Sequence, residues 1–536
     1  MSTSQRNHGV TRRQMLKSTA MSLPALALGL NSHATFGGPS RRDLPKNVIL
    51  FMTDQQRATQ HFPPGWEEQN LPGLTRLKSH GLTFENAFTN ACMCSPARST
   101  LMSGYFPAQH GVKYTLEKNM PEDRRHPQVE LPSYLPNIAT VMSASGFNSV
   151  YKGKWHCSKQ AGTEWDTSDL NQYGFHRWNP PDGGANQEID EAARGPKRHD
   201  ERYMHYDGPW QNGKEGVLAY LNKQSTAQQP FFLVVSLINP HDVLLYPRVF
   251  LNPEERVKCD YDNTWLSGNI ELPATVGENL LTKPRAQILF RALLDQGLGS
   301  LSTPEEKRNY LNFYANLIKS SDGYLVEILN ALEKLSLLDD TLIIYTADHG
   351  EMGMTHGGLR QKNFNFYEET IRIPLVYSNS RMYKKAHSSS ALVSHVDFVP
   401  TMASLFNAPA NACGRWQGRD YSSLLLNPSA GPVQDHIIFT YDDYQAGQTQ
   451  GPYVLPPNHI VSIRESRYKL ARYYGTEGLV RSEWEMYDLQ TDPLETVNLA
   501  YMPWKQPWQV QVQFARLWWK LLQVQTTRLQ PLIPIV

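Results

Sequence analysis

The chain has 536 residues, 40% of them hydrophobic, which is ample for a large buried core and more than one packed unit. Lysine and arginine number 52 against 51 aspartates and glutamates, a formal charge of +1, so nothing favours a polyanion such as nucleic acid as a partner. The five cysteines, Cys92, Cys94, Cys157, Cys259 and Cys413, are too few and odd in number for a disulfide scaffold.

In chain order, Thr11-Arg12-Arg13-Gln14-Met15-Leu16-Lys17 comes first, a paired-arginine head. An apolar run through Leu30 and a small-residue site, Ser32-His33-Ala34, follow. The segment resembles a bacterial twin-arginine export signal. It is too short and too interrupted to span a bilayer, which takes about 20 residues. Residues 1–34 are thus expected to be a signal peptide read by the twin-arginine translocase, giving a periplasmic or secreted protein.

From Asn47 the pattern becomes regular. Val48-Ile49-Leu50-Phe51-Met52 ends in Thr53-Asp54. Phe231-Phe232-Leu233-Val234-Val235 leads to Asn239-Pro240-His241-Asp242, and Leu342-Ile343-Ile344-Tyr345 leads to Ala347-Asp348-His349-Gly350. Three apolar runs, each closely followed by ionisable residues, read as buried parallel strands with a site at their carboxyl ends. Helical periodicity between them, as from Asn309 to Leu338, argues for an α/β domain with helices on both sheet faces. That helix is expected to break near Ser320–Gly323. The Gly-, Pro- and Asp-rich stretch from Lys159 to Lys214 reads as a long loop able to shape a pocket. After about Ala430, short strands at His436–Tyr441, His459–Glu465 and Arg467–Tyr473 predict a smaller C-terminal sheet. The expected division is a catalytic domain over 45–430 and a C-terminal subdomain over 431–536, ending in a helix with apolar residues at Phe514, Leu517, Leu521 and Leu522.

The chemistry sits in a few motifs. Cys94-Ser95-Pro96-Ala97-Arg98 is followed by Ser99-Thr100-Leu101-Met102-Ser103-Gly104. Gly146-Phe147-Asn148-Ser149-Val150-Tyr151-Lys152-Gly153-Lys154-Trp155-His156 comes next. Asp348-His349, the Gly350 to Lys362 segment, Tyr367-Glu368-Glu369 and Met486-Tyr487-Asp488-Leu489 follow in order. From about Asn47 to Ala500 the chain resembles the sulfatase family.

The resemblance implies an alkaline-phosphatase-like fold: a large mixed, mostly parallel sheet flanked by helices, with the smaller C-terminal sheet. It implies sulfate monoester hydrolysis through a formylglycine made from Cys94 by a maturation enzyme. A hydrated aldehyde offers one hydroxyl to attack sulfur and another to expel sulfate, splitting one hard step into two. Arg98, Lys154 and Lys362 are implied to surround the transferring group with positive charge. His156 would take the proton that lets sulfate leave, and His241 would protonate the leaving oxygen. Asp54, Gln55, Asp348 and His349, with residue 94, stand where the family holds a divalent metal. Many relatives have a second aspartate where this chain has Gln55, which removes one negative charge but keeps a carbonyl oxygen. Oxygen ligands suit Ca²⁺ first, then Mg²⁺, while His349 keeps Mn²⁺ open. The implied substrate is a small-molecule or saccharide sulfate ester, and a homo-oligomer is left open. The core motifs also fit a phosphonate or phosphate ester hydrolase, and a binder of sulfated molecules that keeps Cys94 unmodified is the third reading. Asp397 and His110 read as a helix cap and a loop histidine.

Overall fold

The computed structural model describes residues 44–532 except 59–60, 118–126, 185–194, 196, 198, 225–228, 449 and 479. The proposed signal peptide over 1–34 lies outside the described residues. Seven strands form one sheet: β1 (Asn47–Asp54), β2 (Gly81–Phe88), β3 (Asn148–Gly153), β4 (Phe231–Pro240), β5 (Thr341–Ala347), β6 (Leu375–Ser378) and β7 (His387–Ser394). Their order is β3-β4-β1-β5-β6-β2-β7, and only β6 runs against its neighbours. The three apolar runs are therefore central, adjacent and parallel, as their composition predicts.

Side chains along β1 alternate between two helical layers, because successive strand residues point to opposite faces. Val48, Leu50 and Met52 pack with Leu101, Ile138, Val399 and Met402 on one face. Ile49 and Phe51 pack with Leu74, Leu77, Leu317, Leu325 and Ile328 on the other. The second layer contains the helix Pro304–Lys334, which is unbroken over 31 residues. The expected break at Ser320–Gly323 does not occur. Neighbouring Asp322 instead accepts the backbone N–H groups of Gly73 and Leu74, each at 2.8 Å, so buried packing outweighs the local cost of Gly323. Within the described residues no helix is long and apolar enough to cross a membrane.

The smaller sheet is antiparallel, in the order β11-β10-β9-β8. Its strands are β8 (His436–Tyr441), β9 (His459–Glu465), β10 (Tyr468–Tyr474) and β11 (Glu483–Asp488). The first three match the sequence reading closely. The fourth arises from a segment with no clean alternation, which pairs because β10 offers it an edge. One face holds Ile437, Phe439 and Tyr441 against Phe364 and Phe366 of the main body. The other holds Ile438, Ile463 and Met486 against Leu517, Leu521 and Val524 of the terminal helix, Trp508–Thr527.

Two motif residues, Glu368 and Met486, join these layers. Glu495 accepts the backbone N–H of Glu368 at 2.8 Å, and Arg464 and Lys469 pair with the Glu368 carboxylate, each at 3.1 Å. Asn498 accepts from the Met486 N–H at 3.1 Å and donates to Trp484 and Thr282 carbonyls. These charges are buried, and pairing offsets their desolvation.

Candidate active site

Strand register gathers the motif residues at one sheet edge. Thr53 pairs with Ala347 and Asp54 with Pro240, so Asp54, His241 and Asp348 emerge side by side. Gly153 pairs with Ser236 and places Lys154 next to them. Gly153 has φ 106°, and a Cβ there would lie 1.9 Å from the Ser236 carbonyl oxygen. Only glycine allows the two backbones to approach so closely.

Cys94 opens the fully buried helix Cys94–Ser103. Its Sγ lies 3.2 Å from His349 Nε2 and 3.7 Å from Asp54 Oδ1. Burial, then the Asp54 charge, push the thiol up to about 12, against Lys154 and Lys362. Arg98 follows one turn later on the same helix. Its Nε donates to Asp348 Oδ2 at 2.8 Å and its Nη2 to Asp54 Oδ2 at 3.1 Å. Its Nη1 donates to the Lys154 carbonyl and Ser236 Oγ, both at 2.8 Å. Arg98 is fully buried behind the carboxylates and off the cavity wall. Lys154 Nζ pairs with Asp54 Oδ2 and donates to Gly184 O at 3.1 Å. Burial alone would raise the Asp54 carboxyl, but the charges of Lys154 and Arg98 hold it well below its ordinary value.

Asp348 Oδ1 accepts the backbone N–H groups of Gln55 at 3.0 Å and His349 at 2.9 Å. The His349 Nδ1 faces the Gly350 carbonyl at 3.1 Å, which assigns the proton there and leaves Nε2 bare towards the cluster. Burial, opposed by Asp348 and reinforced by Lys362, lowers this histidine to about 4, so it is neutral. The Gln55 side chain donates to Glu351 Oε2 at 2.5 Å, and its carbonyl oxygen accepts from Lys362 Nζ at 2.5 Å.

One ligand atom from each of Asp54, Cys94, Asp348 and His349 lies within 4.8 Å of the others. Two carboxylates and one bare imidazole nitrogen suit a divalent ion, and the Gln55 carbonyl oxygen, which accepts from Lys362, would complete a mainly oxygen set. The donor set is buried and its carboxylates are held by Arg98 and Lys154, so it is organised for a cation.

Of the cluster, Cys94 lines a cavity of about 490 Å³, together with His156, His241 and Lys362. His156 has φ 55°, an uncommon conformation for a non-glycine residue. Asp182 fixes it by accepting the N–H groups of Trp155 and His156, each at 2.8 Å. His156 Nε2 faces the Leu116 carbonyl at 2.9 Å, leaving Nδ1 with no partner among the described residues. The turn bearing His241 is anchored through Asp242, which meets Tyr261 at 2.5 Å and His199 at 2.9 Å. The His241 Nδ1 likewise has no partner among the described residues. Burial is the main cause lowering both histidines well below their ordinary value.

The family model for sulfatases matches residues 46–408. The chain belongs to the sulfatase family. Its reaction class is sulfate ester hydrolysis. A second model, N-sulphoglucosamine sulphohydrolase, C-terminal, matches residues 356–526. Arylsulfatase K of Canis lupus familiaris is 25% identical over 477 residues, covering 85% of this chain and 79% of the relative. N-acetylglucosamine-6-O-sulfatase of Bacteroides thetaiotaomicron is 24% identical over 519 residues, covering 89% and 86%. Among solved structures, a protein in complex with its substrate D-glucosamine-2-N,6-O-disulfate superposes with TM-score 0.62 at 18% identity, covering 90% of this chain and 98% of the other. A phosphonate monoester hydrolase from Silicibacter pomeroyi gives 0.61 at 20% identity, covering 90% and 95%. These likenesses bear out the alkaline-phosphatase-like sulfatase fold.

Sequence reasoning on this sulfatase missed the supporting residues. Ser236, Glu351 and Asp182 hold Arg98, Gln55 and His156, yet none carries a signature of its own. Glu351 lies within the Gly350 to Lys362 motif segment, three positions beyond Asp348, but its role is not legible there. Asp397 stands at a helix entry but does not cap it forwards. Its carboxylate reaches back to the Ser394 N–H at 2.8 Å and also accepts the Arg419 N–H at 2.6 Å. His110 is buried, 3.1 Å from Thr100 Oγ1 on the back of the Cys94 helix.

Proposed function

We propose that this sulfatase cleaves a sulfate monoester through formylglycine at position 94, with a divalent ion, Ca²⁺ first, held by Asp54, Gln55, residue 94, Asp348 and His349. The observation that carries the reading is the position of Cys94. It opens a helix at the cavity floor, touches the carboxylate–imidazole cluster, and lies in one cavity with His156, His241 and Lys362. A thiol pushed up to about 12 holds almost no thiolate at neutral pH, so the encoded side chain is a poor nucleophile as it stands. As formylglycine, residue 94 would supply a geminal diol, one oxygen attacking sulfur and the other expelling sulfate as the carbonyl re-forms. The ion would supply positive charge to the sulfate oxygens and lower the pKa of the attacking group.

The remaining work falls to the chain's own residues. Lys362 reaches the cavity wall and would hold a sulfate oxygen, while Lys154 and Arg98 fix Asp54 and Asp348 from behind. His241 would protonate the leaving oxygen, and the anionic ester beside it would offset the burial that keeps it neutral in the free protein. His156, with Nδ1 bare, would take the proton that releases sulfate. A saccharide sulfate is the favoured substrate. Gln448, Gln450, Arg248 and Glu255 give the cavity a polar rim, and relatives include a sulfatase named for N-acetylglucosamine. Maturation by a formylglycine-generating enzyme and twin-arginine export to the periplasm complete the proposal.

Purified mature protein should turn over aryl and sugar sulfates in preference to aryl phosphonates at equal concentration. Faster phosphonate cleavage would assign the chain to the second reading.

A further inference from the structure

An apolar stripe on a surface helix needs one buried partner, yet the terminal helix Trp508–Thr527 carries two stripes. The inner one, Phe514, Leu517, Leu521 and Val524, packs on the small sheet. The outer one, Trp508, Val512, Ala515, Trp519 and Leu522, has spacings of 4, 3, 4 and 3 residues. It is offset by two positions, or about 200° of helix rotation, from the inner stripe, and so points away from the body. Trp508 is 69% exposed, Trp519 59% and Val512 40%, and Trp504 beside the helix is 66% exposed.

Alternating spacings of four and three are the seam of two packed helices. The positions flanking this seam are Gln509, Gln511, Arg516, Trp518, Gln523 and Gln525. They include no acid and one cation, Arg516, which a twofold axis at Ala515 brings near its own copy but whose charge Glu465 already pairs at 2.7 Å. The charges also argue against a lipid surface. Interfacial helices present free lysine and arginine to anionic headgroups. The cations of this helix, Arg516 and Lys520, are already paired: Arg516 with Glu465 at 2.7 Å, and Lys520 with Asp435 at 2.7 Å and Glu465 at 2.6 Å.

Side-chain sizes set the direction of packing. With the helices antiparallel about Ala515, Trp519 faces Val512 and Trp508 faces Leu522, so each tryptophan meets a smaller side chain. A parallel pair would stack tryptophan on tryptophan and alanine on alanine. Large against small fills the seam without voids.

We propose that this outer seam docks a second copy of the chain, with the two helices antiparallel across a twofold axis at Ala515. None of the seam residues lines the catalytic cavity, so dimerisation and turnover are separable.

The test is sedimentation velocity and light scattering on the full chain. Melting, turnover of a nitrophenyl sulfate and co-sedimentation with vesicles are measured alongside. The vesicles are phosphatidylcholine, with and without phosphatidylglycerol. The wild type is expected at twice the chain mass. Val512→Glu with Trp519→Glu, and separately the uncharged wedge Ala515→Trp, are expected at one chain mass with unchanged melting and turnover. Neither vesicle type is expected to retain the protein. A wild type at one chain mass, or a dimer that survives both variants, overturns the proposal. Vesicle binding that the same variants abolish assigns the seam to lipid and also overturns it.

Discussion

Glu351 accepts the Gln55 amide N–H at 2.5 Å, and this bond decides which end of the amide faces the cluster. The Glu351 carboxylate also accepts from Tyr310 OH at 2.6 Å and from the Gln361 N–H at 2.9 Å, so it has little freedom. With the Gln55 nitrogen committed to Glu351, its carbonyl oxygen is the end that accepts from Lys362 Nζ at 2.5 Å, and a cation would share that oxygen with Lys362. Glu351→Gln should let the amide flip. Partners of metal ligands typically govern about 10–100-fold in affinity. Calorimetric titration of metal-stripped Glu351→Gln should therefore show weaker Ca²⁺ binding than wild type with a similar melting midpoint. Unchanged affinity would refute this role.

Cys94 should be recovered as formylglycine when the maturation machinery is present. Replacing CH₂SH with CHO lowers the peptide mass by about 18 Da. An intact thiol throughout fully active enzyme would sink the assignment. Cys94→Ala should abolish turnover and leave the fold intact.

Chelation should cost activity far more than stability. Arg98 and Lys154 already neutralise Asp54 and Asp348, so the emptied cluster is not left as bare repelling carboxylates. A metal-free sample, verified by elemental analysis, should melt within a few degrees of the holoenzyme and regain its rate on adding Ca²⁺. Full rate without metal would contradict the reading.

His241→Ala should slow esters of poor leaving groups, such as sugar alcohols, by roughly 10²–10⁴-fold, the usual reach of general acid catalysis. Nitrophenyl sulfate, whose leaving group needs no proton, should suffer less. His156→Ala should instead accumulate a sulfated enzyme adduct detectable by intact-mass measurement. Equal losses on every leaving group, with no adduct, would remove the distinction.

Stability should fall at alkaline pH through His356. Its Nδ1 lies 2.7 Å from Glu278, and its ring stacks on Tyr367 at 3.6 Å between centroids. Burial lowers it, but Glu278 and Glu369 overcome that and raise it from 6.5 to about 9. A raised histidine contributes fully below its unfolded value of 6.5 and loses that contribution as pH rises through about 9. Glu369 behaves in the opposite sense. It is held at about 2, mainly by His356 against burial, so its share is present above 4.5 and lost as pH falls towards 2. Melting midpoints should peak between these limits. His356→Gln should flatten the alkaline slope, and an unchanged slope would show that other groups control it.

Much of the sheet and the site was legible from local pattern. Buried parallel strands need continuous apolar runs, and β1, β4 and β5 have them, each ending in the ionisable residues that meet at the site. β2 and β7 were not legible, because polar residues interrupt them where they leave the core. The break near Gly323 failed because helix propensity is a weak local term beside the packing of a buried face.

By itself, the sequence determined the reaction class, the order of the motifs and the carboxyl-end placement of Asp54, His241 and Asp348. These depend on residue types and spacings within short segments. Only the tertiary structure decided what each charge touches: that Arg98 grips Asp54 and Asp348, that Glu351 orients Gln55, and that Asp182 holds His156. Such contacts join segments up to about 300 residues apart in the chain, and a hydrogen bond is satisfied by whichever partner the packed backbone brings within about 3 Å. The two faces of the terminal helix show the same division. Their spacing is written in the sequence, but which face is buried was settled only when the small sheet covered Leu517, Leu521 and Val524.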